Sequence, residues 1–313
     1  MILKNELENK LIEYCEELEI IKNLSSKTVE NYKMTNTIFI SYLHQENIKN
    51  LDNIEQTLKK YIIYLKKKRN AKYSTINKYL EQIILFLSYI GIETKIDLPK
   101  DNSKNKKIKY LKYDEIEEVL KTIPETFLRD KTIIQTLFRT GLRVSELSNL
   151  KKQDLNLDKY NNIITVNIED GKGGKDRTVY LDTNTYELIN KMIYKRTRKN
   201  KKDKTSYLFT NKYGNQISIR AIENLVKKWA IKTDDRMKEK GKETNFQDKL
   251  TPHALRHSFT IYLLNNAKRP INEVQQLLGH SSIATTQIYT QVDSEDMKKG
   301  YNAINWWKKF LDK

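Results

Sequence analysis

Between residues 250 and 259 the chain reads Leu-Thr-Pro-His-Ala-Leu-Arg-His-Ser-Phe, a stretch whose side chains have the types and spacing for anion chemistry. Thr251 is suited to cap a helix and Pro252 to its first turn, where a missing N–H costs nothing, so a helix is predicted to begin here. His253 and Arg256, three residues apart, then share one helix face near its positive end. Such a pair can grip a phosphate, the guanidinium through two bonds and the imidazole through a hydrogen bond or a proton transfer. Taken alone, the pair is weak evidence, and a surface histidine beside an ion-paired arginine is the commoner explanation. A zinc site at His253 and His257 is rejected, because the metalloprotease pattern needs Glu at position 254, which is Ala, and no Cys or acidic cluster completes a ligand set. Further on, the segment 271–280 closes in Leu278-Gly-His280, and nine positions later (289 − 280) Tyr289 stands in Thr-Thr-Gln-Ile-Tyr-Thr.

Positioning these groups requires a folded scaffold, and periodicity indicates its parts. Leu7, Leu11, Cys15 and Leu18 recur at helical spacing; Ser25 or Ser26 can cap a second helix carrying Tyr32, Ile38, Phe39 and Leu43. A third helix covers 54–68, and a fourth runs from Ser74 to Gly91. From Pro99 to Lys112 the pattern lapses into a polar stretch with Lys100, Lys104, Lys106, Lys107, Lys109 and Lys112, which marks a domain boundary. Such a charge run is commonly a solvated linker, and between two DNA-handling domains it would also lie along phosphates.

The second part is mixed, with helices expected at 114–121, 128–140, 183–198 and 218–232, and with alternation at 163–168 and 177–181 like the two strands of a hairpin. The turn between those strands, 169–176, is rich in residues that tolerate positive φ and exposes Lys172 and Lys175. The charged, aperiodic stretches 195–204 and 234–248 read as surface loops. The expected organisation is therefore a helical domain over 1–98, a basic linker over 99–112 and a mixed α/β domain over 113–313.

Lys and Arg number 58 against 40 acidic residues, a net charge of +18 over 313 residues, which points to a polyanionic partner, nucleic acid above all. The N-terminus is charged and no apolar run approaches the roughly 20 residues a bilayer span needs, so neither a signal peptide nor a membrane partner is expected. The single cysteine, Cys15, sits among apolar helical positions as a packed thiol, and the composition fits the reducing interior of a cell, the cytoplasm.

Together, His253-x-x-Arg256, Leu278-Gly-His280 and Tyr289 resemble the second catalytic box of the tyrosine recombinase, or phage integrase, family, which includes the Xer recombinases and the integrases of mobile elements. Thr140-Gly-Leu-Arg-Val-Ser-Glu-Leu147 resembles the first box and supplies Arg143; 171–181 resembles the hairpin with the family's catalytic lysine, aligned on Lys172 with Lys175 as runner-up. The N-terminal helices, with Thr28/Tyr32 and Thr75/Phe86, resemble the core-binding domain less specifically. The implied fold is mainly α with a small antiparallel β-sheet: a helical core-binding domain followed by a mixed α/β catalytic domain. Two departures stand out: 265–270, Asn-Asn-Ala-Lys-Arg-Pro, replaces a Gly-containing turn, and 234–248 looks like an added charged loop.

The resemblance implies six catalytic residues: Arg143, Lys172, His253, Arg256, His280 and the nucleophile Tyr289. Phosphoryl transfer depends on positioned cations, and Arg143 and Arg256 fit a clamp on the non-bridging oxygens, with His280 adding a hydrogen bond. Tyr289, an ordinary phenol with a pKa of about 10, needs a base, for which His253 serves, while Lys172 would protonate the leaving 5′ oxygen. No metal or cofactor is implied. The expected partners are double-stranded DNA at recombination sites, further copies of the chain in a tetramer joined by exchange of the C-terminal segment 297–313, and accessory proteins; Lys104, Lys106, Lys107, Lys109 and Lys175 would add DNA contacts. Competing readings are a DNA-binding architectural protein of the same fold, a type IB topoisomerase-like relaxing enzyme and, on charge alone, an RNA-binding protein.

Overall fold

The computed structural model describes residues 2–101, 108–158, 163–169, 176–199 and 205–279. The chain divides into two compact units, Met1–Lys106 and Lys107–Lys313. It is mostly helical, with one three-stranded antiparallel sheet among the described residues.

The first unit consists of α1 (Ile2–Ile20), α2 (Ser26–Gln45), α3 (Ile54–Lys67) and α4 (Tyr73–Tyr89). Of the two candidate serines, Ser25 is the cap of α2: its Oγ accepts the Thr28 N–H at 3.3 Å. Leu7, Leu11, Phe39, Leu58, Tyr61 and Leu80 are among the side chains buried where the four helices meet, an apolar stripe from each helix closing on one core. Cys15 packs half-buried against that core.

In the second unit, α5 (Tyr113–Thr122) is followed by α6 (Leu128–Thr140), which is buried nearly all round and packs against α8 (Thr183–Lys199) and α11 (Pro252–Ile261). A short α7 (Val144–Asn149) leads into β1 (Leu155–Asp158), β2 (Ile163–Ile168) and β3 (Arg177–Leu181), ordered β1-β2-β3. The register pairs Leu155 with Val166 and Val166 with Val179. Ile164, Val166 and Ile168 of β2 and Val179 and Leu181 of β3 point into the core, as period-2 alternation requires. β1 is an addition to the expected hairpin; its Leu-Asn-Leu-Asp alternates over only four residues, and Leu155 alone is partly buried while the other three are exposed.

Helix α9 (Ile219–Glu239) and α10 (Phe246–Lys249) correct the reading of 234–248 as a loop. The helix continues through this charged stretch because Thr233 and Met237 are buried. The Asp234 carboxylate then accepts the backbone N–H groups of Phe246 and Gln247, both at 2.8 Å, and caps the start of α10. Likewise α8, expected over 183–198, runs to Lys199, which corrects the reading of 195–199 as part of a loop, and Arg196 donates to the Leu208 carbonyl at 2.8 Å. Last come α11, a π-helical turn at Tyr262–Asn266 and α12 (Ile271–Leu278).

Gly141 ends α6 in the left-handed region, φ +63°, and a Cβ there would lie 2.3 Å from the Phe259 ring of α11. Gly241, after α9, has φ +70° and open space around it. Gly241→Ala should therefore cost only the backbone strain, about 1 kcal/mol, whereas Gly141→Ala adds a clash with an aromatic ring and should cost about 2–4 kcal/mol. All three tryptophans follow residue 107, so urea unfolding followed by Trp fluorescence reads this unit. Equal losses in the two variants would show that the α6–α11 contact relaxes freely.

Candidate active site

Arg143 and Glu146 are placed by the turn from α6 into α7. Gly141 closes α6, with its N–H on the Leu137 carbonyl, and Arg143 takes extended geometry as the residue before α7. Three positions on, Glu146 accepts the Arg143 backbone N–H at 2.7 Å, one half of a capping box. The same carboxylate accepts Arg143 Nη1 at 2.7 Å. The structural pairing of Arg143 with Glu146 and its availability for chemistry are thus both present, since its side chain keeps 23% of its surface exposed.

Arg256 comes from α11. Thr251 Oγ1 accepts the Ala254 N–H at 3.0 Å, Pro252 occupies the first turn, and His253 and Arg256 follow on the same helix. The Arg256 side chain is buried, with Nη1 donating to the Gly141 carbonyl and Nη2 to the Leu278 carbonyl, both at 2.6 Å. Its Nη1 is also 3.9 Å from Glu146.

The end of α12 completes the arrangement. Gly279 caps the helix at φ +63°, and the last carbonyls of any helix lack intrahelical donors. Here three successive carbonyls each receive an arginine: Leu277 from Arg177 Nε at 2.8 Å, Leu278 from Arg256, and Gly279 from Arg143 Nη2 at 2.9 Å. Arg177 also forks onto Glu146, Nη1 to Oε1 at 2.9 Å and Nη2 to Oε2 at 2.8 Å. Sequence reasoning missed Arg177, although alternation in β3 puts it on the same face as buried Val179 and Leu181, where a charge needs a partner.

Burial pushes the Glu146 carboxyl up in pKa, but the hydrogen bonds and charge of Arg177, and then those of Arg143, outweigh it and hold the group at about 2. His253 is lowered from 6.5, by burial first and then by the charges of Arg256 and Arg143, so it is a neutral imidazole at pH 7 able to accept a proton. Its ring lies edge-on to that of His257, with centroids 4.1 Å apart. Among the described residues, no three His, Cys, Asp or Glu side chains cluster to hold a metal ion. A cleft of about 560 Å³ opens beside Arg143, lined also by Ser145, Asn149, Lys151, Asn167 and Tyr207.

The structure therefore brings together Arg143, His253 and Arg256 of the six expected residues. Lys172, His280 and Tyr289 lie outside the described residues, as do Lys104, Lys106, Lys107, Lys175 and the C-terminal segment 297–313. Lys109 is exposed, and its ammonium donates to the Asp248 carbonyl at 2.8 Å. No helix among the described residues is long and apolar enough to cross a membrane.

Residues 109–296 match the phage integrase family. The chain is 36% identical over 197 residues to tyrosine recombinase XerA of Pyrococcus furiosus, a match covering 63% of this chain and 62% of that one. It is 30% identical over 312 residues to tyrosine recombinase XerD of Staphylococcus aureus, covering 96% and 99%. The crystal structure of the XerH site-specific recombinase bound to palindromic difH substrate, a post-cleavage complex, shares the fold at a TM-score of 0.67 and 22% identity, over 94% of this chain and 83% of that one. The chain belongs to the phage integrase family, the tyrosine recombinases, which transfer DNA strands.

Because the folded pKa of Glu146 lies below the unfolded value of about 4.3, its ionisation stabilises the fold fully above pH 4.3, and that stability is lost as pH falls towards 2. A carboxyl held that far below its ordinary value contributes about 3 kcal/mol. The unfolding free energy of the wild type should fall between pH 4.5 and 2 by about that much more than that of Glu146→Gln. Parallel pH profiles for the two proteins would remove Glu146 as the titrating hub.

Proposed function

We propose that this chain is a site-specific DNA recombinase that cuts and rejoins strands through a covalent bond between Tyr289 and a DNA 3′ phosphate. The observation that supports this most directly is the joining of Arg143 and Arg256 to one carboxylate and to successive carbonyls of α12, with a neutral His253 on the same helix as Arg256. That is a clamp for a phosphate whose charge grows towards the transition state, held at the point where the chain continues to His280 and Tyr289.

In this reading Arg143 and Arg256 hold the non-bridging oxygens and His280 adds a further donor. Tyr289 Oη gives its proton to His253 and bonds to phosphorus; the P–O5′ bond breaks, and Lys172 protonates the leaving 5′ oxygen. The phosphotyrosyl ester keeps the energy of the diester, so a 5′ hydroxyl from a second duplex reverses the step with no metal, nucleotide or other cofactor. Four copies would hold two duplexes, joined through 297–313, and exchange strands in two rounds through a Holliday junction, with accessory proteins setting direction. Residues 1–98 would serve as the core-binding domain and 99–112 as its basic link to the catalytic domain, acting on DNA in the cytoplasm in integration, excision or Xer-type dimer resolution. Lys175 would add a contact from the hairpin.

The test is a covalent protein–DNA band on a denaturing gel after incubation with nicked duplexes from sequence flanking the gene. Wild type should give the band and Tyr289→Phe should not; Arg143→Ala should slow its formation by about 100- to 1,000-fold while duplex binding persists. Binding with no band on any DNA would establish an architectural protein instead, and relaxation of supercoils without site preference would establish a topoisomerase.

The linker is tested separately. Replacing Lys104, Lys106, Lys107 and Lys109 by Ala should weaken binding to specific and unrelated duplexes alike, and flatten the dependence of log Kd on log salt by about 0.9 for each phosphate no longer neutralised. An unchanged slope would mean that the segment only spans the two domains.

A further inference from the structure

Arg177 has no part in the reaction outlined above, yet it is buried among groups that do. Its side chain is 8% exposed, and its fork covers both oxygens of Glu146. Its Nε is on the Leu277 carbonyl, and its Cδ and guanidinium pass close to Gly279, where a Cβ would fall 3.1 Å from Cδ and 3.2 Å from Nη1. Stability alone does not call for this arrangement, since a buried ion pair contributes little net stability compared with well-packed apolar side chains of similar volume.

Charge explains it better. Without Arg177, the buried Glu146 carboxylate would have Arg143 at 2.7 Å and Arg256 at 3.9 Å as its remaining cations among the ion pairs described. An incoming phosphate would then compete with Glu146 for the very guanidiniums that must bind it. With both oxygens engaged by Arg177, Glu146 still orients Arg143 through the backbone N–H and Nη1, but its charge is already balanced. We propose that Arg177 is a positioning residue for strand cleavage, which balances Glu146 so that the carboxylate aims Arg143 at the DNA phosphate without neutralising it. This rests on the reading of Arg143 and Arg256 as the phosphate clamp.

A two-by-two set of full-length proteins tests it: wild type, Arg177→Met, Glu146→Gln and the double variant. Each is assayed for Kd and for the single-turnover rate of adduct formation at saturating protein, on the nicked duplex that wild type cleaves. Arg177→Met should lower that rate about 100-fold, as loss of a transition-state donor does, while moving Kd less than about threefold. In the Glu146→Gln background, where no carboxylate charge remains to be balanced, removing Arg177 should cost less than about threefold, a strong non-additivity.

Equal rate losses from Arg177→Met in both backgrounds, or a wild-type rate in the single variant, would overturn the proposal. Should Arg177→Met fail to fold, the double variant against Glu146→Gln decides alone: a further tenfold loss rejects the role, and equal rates support it. Absence of an adduct with wild type itself would instead count against the recombinase reading, which separates the two failures.

Discussion

The arrangement of the second unit depends on a single buried carboxylate. Glu146 lies in contact with Arg143 and Arg177 and 3.9 Å from Arg256, so the charges of three guanidiniums converge on one acceptor. Three like charges gathered in a partly buried space repel strongly, and each desolvated ion carries a penalty of several kcal/mol before pairing. The carboxylate makes the gathering possible, and because three cations exceed one anion, the hub stays positive. Each arginine enters from a different place, the turn before α7, β3 or α11, so the hub also fixes how these elements meet.

The second anchor is the end of α12. Orphan carbonyls at a helix C-terminus carry partial negative charge and attract cations. Leu277, Leu278 and Gly279 each take one arginine, in a row that ends at the left-handed cap Gly279, φ +63°. A displacement of α12 would therefore disturb all three arginines together. Gly141 acts similarly on the other side: its positive φ ends α6, its lack of a side chain admits Phe259, and its carbonyl holds Arg256.

Much of this was legible in the residues. Long periodic helices such as α2 and α4 were readable because each buries one consistent stripe, and the α11 start was readable because a cap, a first-turn proline and a helical pair coincide at 251–256. The charged end of α9 was not, because its continuation is decided by two buried residues, Thr233 and Met237, and by Asp234 capping the next helix twelve residues on (246 − 234). β1 was hidden for the same reason: its pairing with β2, rather than its own pattern, makes it a strand. Arg177 escaped notice because its partners are 31 and 100 residues away in the chain, and only the alternation of β3 hinted that it turns inward.

The choice of arginine at all three positions follows from the geometry. Each must satisfy a carbonyl and face a carboxylate from a fixed direction, and a planar guanidinium with five donors can do both, whereas a lysine ammonium is a single strongly hydrated point. The two arginines proposed to hold the phosphate are also placed unequally: Arg256 is almost wholly buried and Arg143 is nearly a quarter exposed beside the cleft. The buried one can contribute field and rigidity, and the exposed one can meet an oxygen directly. Preorganising them in the fold means that the reorganisation a phosphate would otherwise require has been met during folding, so more of the interaction is available where charge develops in the transition state. The same logic accounts for the low pKa of Glu146: a carboxylate that stays ionised throughout the physiological range keeps the arginines around it in one geometry whatever the protonation state of His253.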